Sequence, residues 1–207
     1  MTTATPTLRR ISPADHRRMA WKNGLGTTDE IVIDPPGAAL GSGAFNWRLS
    51  MATVEDSCPF SAFPGYERTI MLIEGAGMEL DIPGQATRRL DRLFEPFVFS
   101  GDEPAQCRLI AGPVRDFNLM VDRAHWRAHM DVLQVGDAGK RLDAGGDAVI
   151  LHCFGGSVDV AVDGVNELKA LASGHTLVIE PDVPRSIPLG LAAPEAAIIA
   201  LMTLIRR

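Results

Sequence analysis

The chain has 207 residues, 46% hydrophobic and 22% charged, which is enough apolar material to bury a core and too little charge for a disordered chain. Its net charge of -6 is spread evenly: residues 1–104 carry 10 basic and 14 acidic side chains, and residues 105–207 carry 10 and 12. Acids dilute the pairs Arg9-Arg10, Arg17-Arg18 and Arg88-Arg89, so the concentrated basic footprint of a nucleic-acid binder is missing and nucleic acid is excluded as a partner.

Cys58, Cys107 and Cys153 are odd in number and lack CxxC spacing, which predicts reduced thiols rather than a disulfide framework or a zinc knuckle. The start, MTTATPTLRR, has no apolar signal segment. The longest apolar tail, Ala196 to Ile205, spans ten residues where a bilayer needs about 20. A soluble, cytoplasmic protein without a membrane partner is expected.

In chain order, Ser12-Pro13-Ala14-Asp15-His16 pairs an N-cap with a proline at the first helical position and predicts a short helix or turn. Next, Trp21-Lys22-Asn23-Gly24-Leu25-Gly26-Thr27-Thr28-Asp29-Glu30-Ile31 packs an amine, an amide, two hydroxyls and two carboxylates beside glycines that let backbone approach a ligand. A glycine-rich turn entering the strand from Glu30 to Ile33 fits the same residues. Gly24-x-Gly26 lacks the third glycine and preceding strand of a dinucleotide site.

In Phe45-Asn46-Trp47-Arg48-Leu49-Ser50-Met51-Ala52, strand alternation puts Asn46, Arg48 and Ser50 on one face and Trp47, Leu49 and Met51 on the other. The polar face either meets solvent or lines the inside of a closed sheet, where a guanidinium can hold a carboxylate through two parallel hydrogen bonds. Pro59-Phe60-Ser61-Ala62-Phe63-Pro64-Gly65-Tyr66-Glu67-Arg68 runs into a strand over Thr69 to Ile73. Met78 to Ile82 alternates as a half-buried strand. Arg115-Asp116-Phe117-Asn118-Leu119-Met120 sets Asp116 and Asn118 on one side and Phe117 and Leu119 on the other, unless these residues only cap a turn.

Further on, Ala148 to Phe154 and Thr176 to Ile179 read as strands buried on both faces, and Val158 to Val162 as a half-buried one. Glu195 to Ile205 is apolar enough for a buried helix or a core strand, and the surrounding strands favour strand. The stretches 70–80 and 150–160 share a strand, glycine turn, strand plan, which fits either an internal duplication or ordinary hairpin chemistry. The fold class is all-β.

Four blocks in order, 21–31, 45–50, 60–68 and 116–120, closely resemble the motifs of the HutD/Ves family. The resemblance covers Trp21 to Arg123 and implies a cupin-like double-stranded β-helix with two lobes, a bicupin-like single domain over 1–207 with its N-terminal lobe about 18–123 and its C-terminal lobe about 124–205. It further implies an association with bacterial histidine utilisation and the binding of a small carboxylate such as urocanate or a formylated glutamate derivative. No established reaction comes with it. At Leu25 the chain departs from the family's third glycine, so a side chain is expected to narrow that part of the pocket.

No metal or other cofactor is expected. The stretch Phe63 to Arg68 lacks the His-x-His pair of metal-dependent cupins, and Gly174 to Arg185 lacks the histidine beyond its proline. His125 and His129 stand four apart, but two ligands do not close a site. His16 and His175 read as surface or turn residues and His152 as a satisfied core histidine.

Three functions follow. In the leading one, the protein binds a small anionic or polar metabolite: Arg48 with Lys22 or Arg68 neutralises the anion, Asn23, Thr28, Ser50 and Asn118 orient it, and Trp21, Glu30 and Asp116 complete the candidate site. The alternative is a metal-independent isomerase, lyase or hydrolase with Glu30 or Asp116 as general base and Lys22 as general acid. The third is a purely structural or protein-binding module that has lost its pocket, with an apolar, filled barrel. A homodimer is compatible with all three.

Overall fold

The computed structural model describes residues 5–40 and 45–207; residues 1–4, the beginning of the N-terminal stretch read above, lie outside the described residues. Apart from a 3-10 turn at Pro13–Asp15, where the Ser12 hydroxyl and backbone N–H both donate to Asp15, every regular element among the described residues is a strand. The chain divides into two compact units, one of His16–His125 and one of Trp126–Arg207 together with the segment ending at Asp15.

In the His16–His125 unit, strands β2 (Arg17–Ala20), β3 (Gly26–Asp34), β4 (Trp47–Val54), β6 (Tyr66–Glu74), β9 (Phe97–Ser100) and β11 (Val114–Asp122) form a six-stranded antiparallel sheet in the order β2-β3-β4-β11-β6-β9. Strands β5 (Cys58–Phe60), β7 (Met78–Asp81), β8 (Arg88–Leu90) and β10 (Ala105–Leu109) form a second sheet in the order β5-β10-β7-β8. Apolar residues from both sheets, including Val54, Ile70, Leu72, Met78, Leu80 and Cys107, bury one core between them.

The other unit repeats this plan. Strands β1 (Thr7–Ile11), β12 (Trp126–Val135), β14 (Ala148–Gly155), β17 (Thr176–Glu180) and β19 (Ala197–Arg206) form one sheet in the order β1-β17-β14-β19-β12. Strands β13 (Lys140–Gly146), β15 (Ser157–Val162), β16 (Lys169–Ala172) and β18 (Arg185–Ala192) form the other, in the order β13-β18-β15-β16. The N-terminal strand β1 belongs here because it pairs with β17 from Thr7 opposite Glu180 to Ile11 opposite Thr176. The apolar segment before the C-terminus is strand β19, as its surroundings suggested.

Strand orders β4-β11-β6-β9 and β12-β19-β14-β17 correspond one to one, as do β5-β10-β7-β8 and β13-β18-β15-β16, so the chain holds two copies of one eight-stranded β unit. The pairing of β6 with β11 slips at Ile73, between Leu72 and Glu74, and that of β14 with β19 slips at Phe154, between Cys153 and Gly155. These bulges match Leu72 to Cys153 and Ile70 to Leu151. Later, Met78 opposite Leu90 matches Val158 opposite Leu171, so the turn of the first copy is one residue longer. Both matched turns use glycines at positive φ, Gly75 and Gly77 in one and Gly156 in the other.

Candidate functional site

The register of the six-stranded sheet gathers the candidate residues on one face. Ser50 stands opposite Glu30 on β3 and Asn118 on β11, Ala52 opposite Thr28 and Asp116, and Arg48 opposite Met120, which in turn faces Arg68 on β6. Side chains two apart on a strand share a face, so these residues converge on the concave side turned toward the four-stranded sheet. Trp47, Leu49, Met51, Phe117 and Leu119 take the opposite face and are buried there. The polar face does not meet solvent: Glu30, Arg48, Ser50, Arg68, Asp116 and Asn118 are each no more than 7% exposed.

They surround a cavity of about 510 Å³, large enough for a small metabolite. Of the candidate residues, Trp21, Lys22, Asn23, Thr28, Arg48, Ser50, Arg68, Asp116 and Asn118 line it, and Glu30 lies beside it, bonded to Arg48. The rest of the lining includes Met19, Leu40, Ala52, Phe60, Ser61, Phe63 and Met120, which sequence reasoning did not assign to the site. Phe60, Ser61 and Phe63 belong to a motif block already singled out; Leu40 sits in a segment whose sequence carries no site signal.

The two guanidinium groups differ. Arg48 Nε donates to Glu30 Oε2 at 2.7 Å and its Nη1 to Ser50 Oγ at 3.2 Å, which leaves Nη2 unpartnered among the described residues. Among the described residues, Arg68 has only a long contact from Nη1 to the Ser61 carbonyl at 3.4 Å, and its Nε is unpartnered. Its charge rests among three rings, with the guanidinium carbon 4.9 Å from the centre of Phe99, 5.7 Å from Phe63 and 5.9 Å from Phe60. Burial lowers the Arg68 pKa to about 10, so it stays charged at neutral pH.

Asp116 is the counterpart on β11. Burial pushes its carboxyl up to about 7, against the opposing effects of the Arg68 charge and a hydrogen bond from Asn118. The carbonyl oxygen of the Asn118 amide has no partner among the described residues. A buried face with unmade hydrogen bonds on Arg48, Arg68 and Asn118 is costly unless something polar completes it.

At the mouth, the Trp21 indole donates to Thr28 Oγ1 at 2.8 Å and meets the Phe60 ring edge-on, with centroids 6.1 Å apart. Gly26 makes room for it, since a Cβ there would lie 2.5 Å from the Thr53 carbonyl and 2.9 Å from the indole. Asn23 Oδ1 accepts the Leu25 N–H at 3.0 Å and so holds the turn as well as lining the cavity. Leu25 does not line the cavity as expected; its side chain packs against the core between the two sheets. Asn46, expected beside Arg48 and Ser50, precedes β4, donates to Asp34 Oδ2 at 2.7 Å and is not part of the cavity.

Among the described residues, no group of three or more His, Cys, Asp and Glu side chains is placed to hold a metal ion. His125 Nδ1 lies 2.6 Å from Asp122 and His129 Nε2 3.1 Å from Asp131, so each ring has its own aspartate. His152 is buried, with Nδ1 2.8 Å from Thr176 Oγ1. No described helix is long and apolar enough to cross a membrane.

Matching the two copies by their bulges places Asp116 with Ile199, Asn118 with Leu201 and Arg68 with Val149. All three partners lie in the apolar core of the Trp126–Arg207 unit, so the polar interior is a property of one copy.

Comparison with known proteins agrees with this architecture. The profile of the HutD family matches residues 13–198. An uncharacterized 21.2 kDa protein from the hutC 3′ region of Pseudomonas putida is 40% identical over 84% of this chain and 87% of its own length. A conserved protein of unknown function from Pseudomonas aeruginosa superposes with a TM-score of 0.87 at 33% identity, covering 96% of this chain and 99% of its own. HutD from Pseudomonas fluorescens, solved in a formate condition, superposes with a TM-score of 0.79 at 32% identity, covering 97% and 100%. The all-β, cupin-like fold and the four motif blocks thus have one explanation: this chain is a member of the HutD family.

Proposed function

We propose that the protein is a metal-independent, cytoplasmic binding protein for a small carboxylate, acting in connection with histidine utilisation and its regulation. The observation that carries this reading is the Arg68 guanidinium, buried in a 510 Å³ cavity with its Nε uncommitted and no ion-pair partner among the described residues. A carboxylate would supply the acceptor that Arg68 Nε and Arg48 Nη2 lack, and the apolar walls of Trp21, Leu40 and Phe63 suit an unsaturated or short aliphatic body. Support for the metabolic setting comes from the P. putida relative's place in the hutC 3′ region.

A thermal-shift and fluorescence screen with urocanate, N-formylglutamate and formate tests this. A specific ligand raises the melting temperature by mass action. Arg68→Met should weaken binding of the best acid by about 1.5–3 kcal/mol, the worth of a charged hydrogen bond. No shift with any of the three acids at millimolar concentration overturns the reading. A second reading, a metal-independent isomerase, lyase or hydrolase, draws on Asp116, whose raised pKa suits a general acid or base; turnover of a screened acid that Asp116→Asn abolishes would establish it.

A further inference from the structure

Asp116 and Arg68 occupy the same concave face, on neighbouring strands β11 and β6, and no ion pair joins them. Both are buried, at 2% and 7% exposure, and both line the cavity. The second acid–base pair on this face is closed, because Glu30 is held 2.7 Å from Arg48 Nε and its other oxygen lies 3.8 Å from Arg17. An incoming anion at Arg68 therefore meets one neighbouring carboxyl whose charge is not already neutralised by a bonded cation.

We infer that Asp116 is the specificity-determining residue of this site: an anion with no hydrogen-bond donor of its own binds at Arg68 only as Asp116 takes up a proton, turning from hydrogen-bond acceptor into donor toward the ligand. This rests on the carboxylate-binding reading above. Two carboxylates in one desolvated cavity repel strongly, and a shared proton removes the repulsion while adding a hydrogen bond. The proton comes from solvent and no covalent bond changes. A ligand with its own N–H or O–H facing Asp116 would satisfy an ionised carboxylate instead and bind without the proton, so this residue sorts ligands by their donors.

The groups around Asp116 leave it as the one poised to titrate. Arg68 approaches from β6 and favours its ionised form, and Arg48 from β4 lies near Arg68. Cys107 faces it from β10 and stands opposite Cys58 of β5; burial keeps the Cys107 thiol protonated, its pKa pushed up to about 12, and raises that of Cys58. Glu30 from β3 is bonded to Arg48, Asn118 is uncharged, and Lys22 stands exposed at the mouth. With Asp116 at about 7, neutral pH leaves both of its forms populated.

Formate and acrylate, which have no group titrating between pH 6 and 9, are suitable probes, followed through the fluorescence of Trp21 in the cavity wall. The dissociation constant should be flat below pH 6 and rise about ten-fold per pH unit above 7, with proton uptake, read in buffers of different ionisation enthalpy, near zero below pH 6 and close to one per acid bound above pH 8. Asp116→Asn, which keeps the shape and fixes a neutral donor, should bind formate with the same constant from pH 6 to 9. A pH-independent constant and no proton uptake in the parent protein overturn the inference while leaving carboxylate binding intact. Pronounced pH dependence that survives in Asp116→Asn overturns it too, since the proton then goes elsewhere. Failure of both acids to bind at any pH removes the carboxylate reading and this inference together.

Discussion

Glu30 and Arg48 form a buried ion pair across neighbouring strands, Oε2 to Nε at 2.7 Å, with both side chains only 6% exposed. Removing one partner of such a pair strands a charge in a low-dielectric interior. Glu30→Gln or Arg48→Ala should each cost about 3–5 kcal/mol of stability in denaturant titrations. The double variant Glu30→Gln/Arg48→Met should recover much of that loss, because no charge is then left alone. Additive losses would mean that the pair is not coupled.

Asp116 makes stability depend on pH in a definite direction. Its folded pKa, about 7, lies above the ordinary aspartate value, so its contribution is fully present below about pH 4 and is lost as pH rises through 7. The loss is on the order of 4 kcal/mol when integrated over that window. Asp102 is shifted downward chiefly by its hydrogen bond from Arg123, and Asp81 by hydrogen bonds from Thr87 and then Arg108, so any contribution they make is lost only as pH falls below about 4, outside this window. Asp116→Asn should therefore be more stable than the parent at pH 8 and show a flatter profile from pH 5 to 8 by urea unfolding.

Gly26→Ala should perturb the cavity mouth without altering any of the polar side chains that line it. The added methyl would meet the Thr53 carbonyl at 2.5 Å and the Trp21 ring at 2.9 Å, so either β3 or the indole must move. Overpacking of this kind costs about 1–3 kcal/mol. A shifted tryptophan emission spectrum should accompany the loss. Unchanged stability and emission would show that the strand accommodates the methyl.

All three cysteines are free and buried, and burial raises the pKa of each thiol. The thiolate is the reactive form, so none should react with a thiol reagent in the native protein at pH 7.5 within minutes, and all three should react after unfolding. Rapid labelling of one thiol before unfolding would locate an opening of the sheet around it.

Much of the architecture was readable from residue order. Alternation in Met78 to Leu80 and Val158 to Val162 marked strands with one buried face, and the alternation through Arg48 and Ser50 placed both on the face that lines the cavity. What periodicity leaves open is which strands become neighbours. The bond from Arg48 to Glu30 depends on a register that slips by one residue between Glu30 and Val32, so the sequence put the anion first on Arg48, with Lys22 or Arg68 beside it, and did not show that Glu30 already engages Arg48. The same blindness to bulges hid the one-residue difference between the two copies' turns. The side chain of Leu25 looked like a pocket wall only because its direction off the turn was unknown.

The correspondence of Arg68, Asp116 and Asn118 with Val149, Leu201's neighbour Ile199 and Leu201 itself gives the molecule a comparison standard of its own. The same strand register is solved twice in one chain, once with hydrocarbon and once with charge. The hydrocarbon version meets every packing demand of the fold, so the sheet does not need ions at these positions to form. The buried charges in the His16–His125 unit are therefore tolerated for something other than architecture.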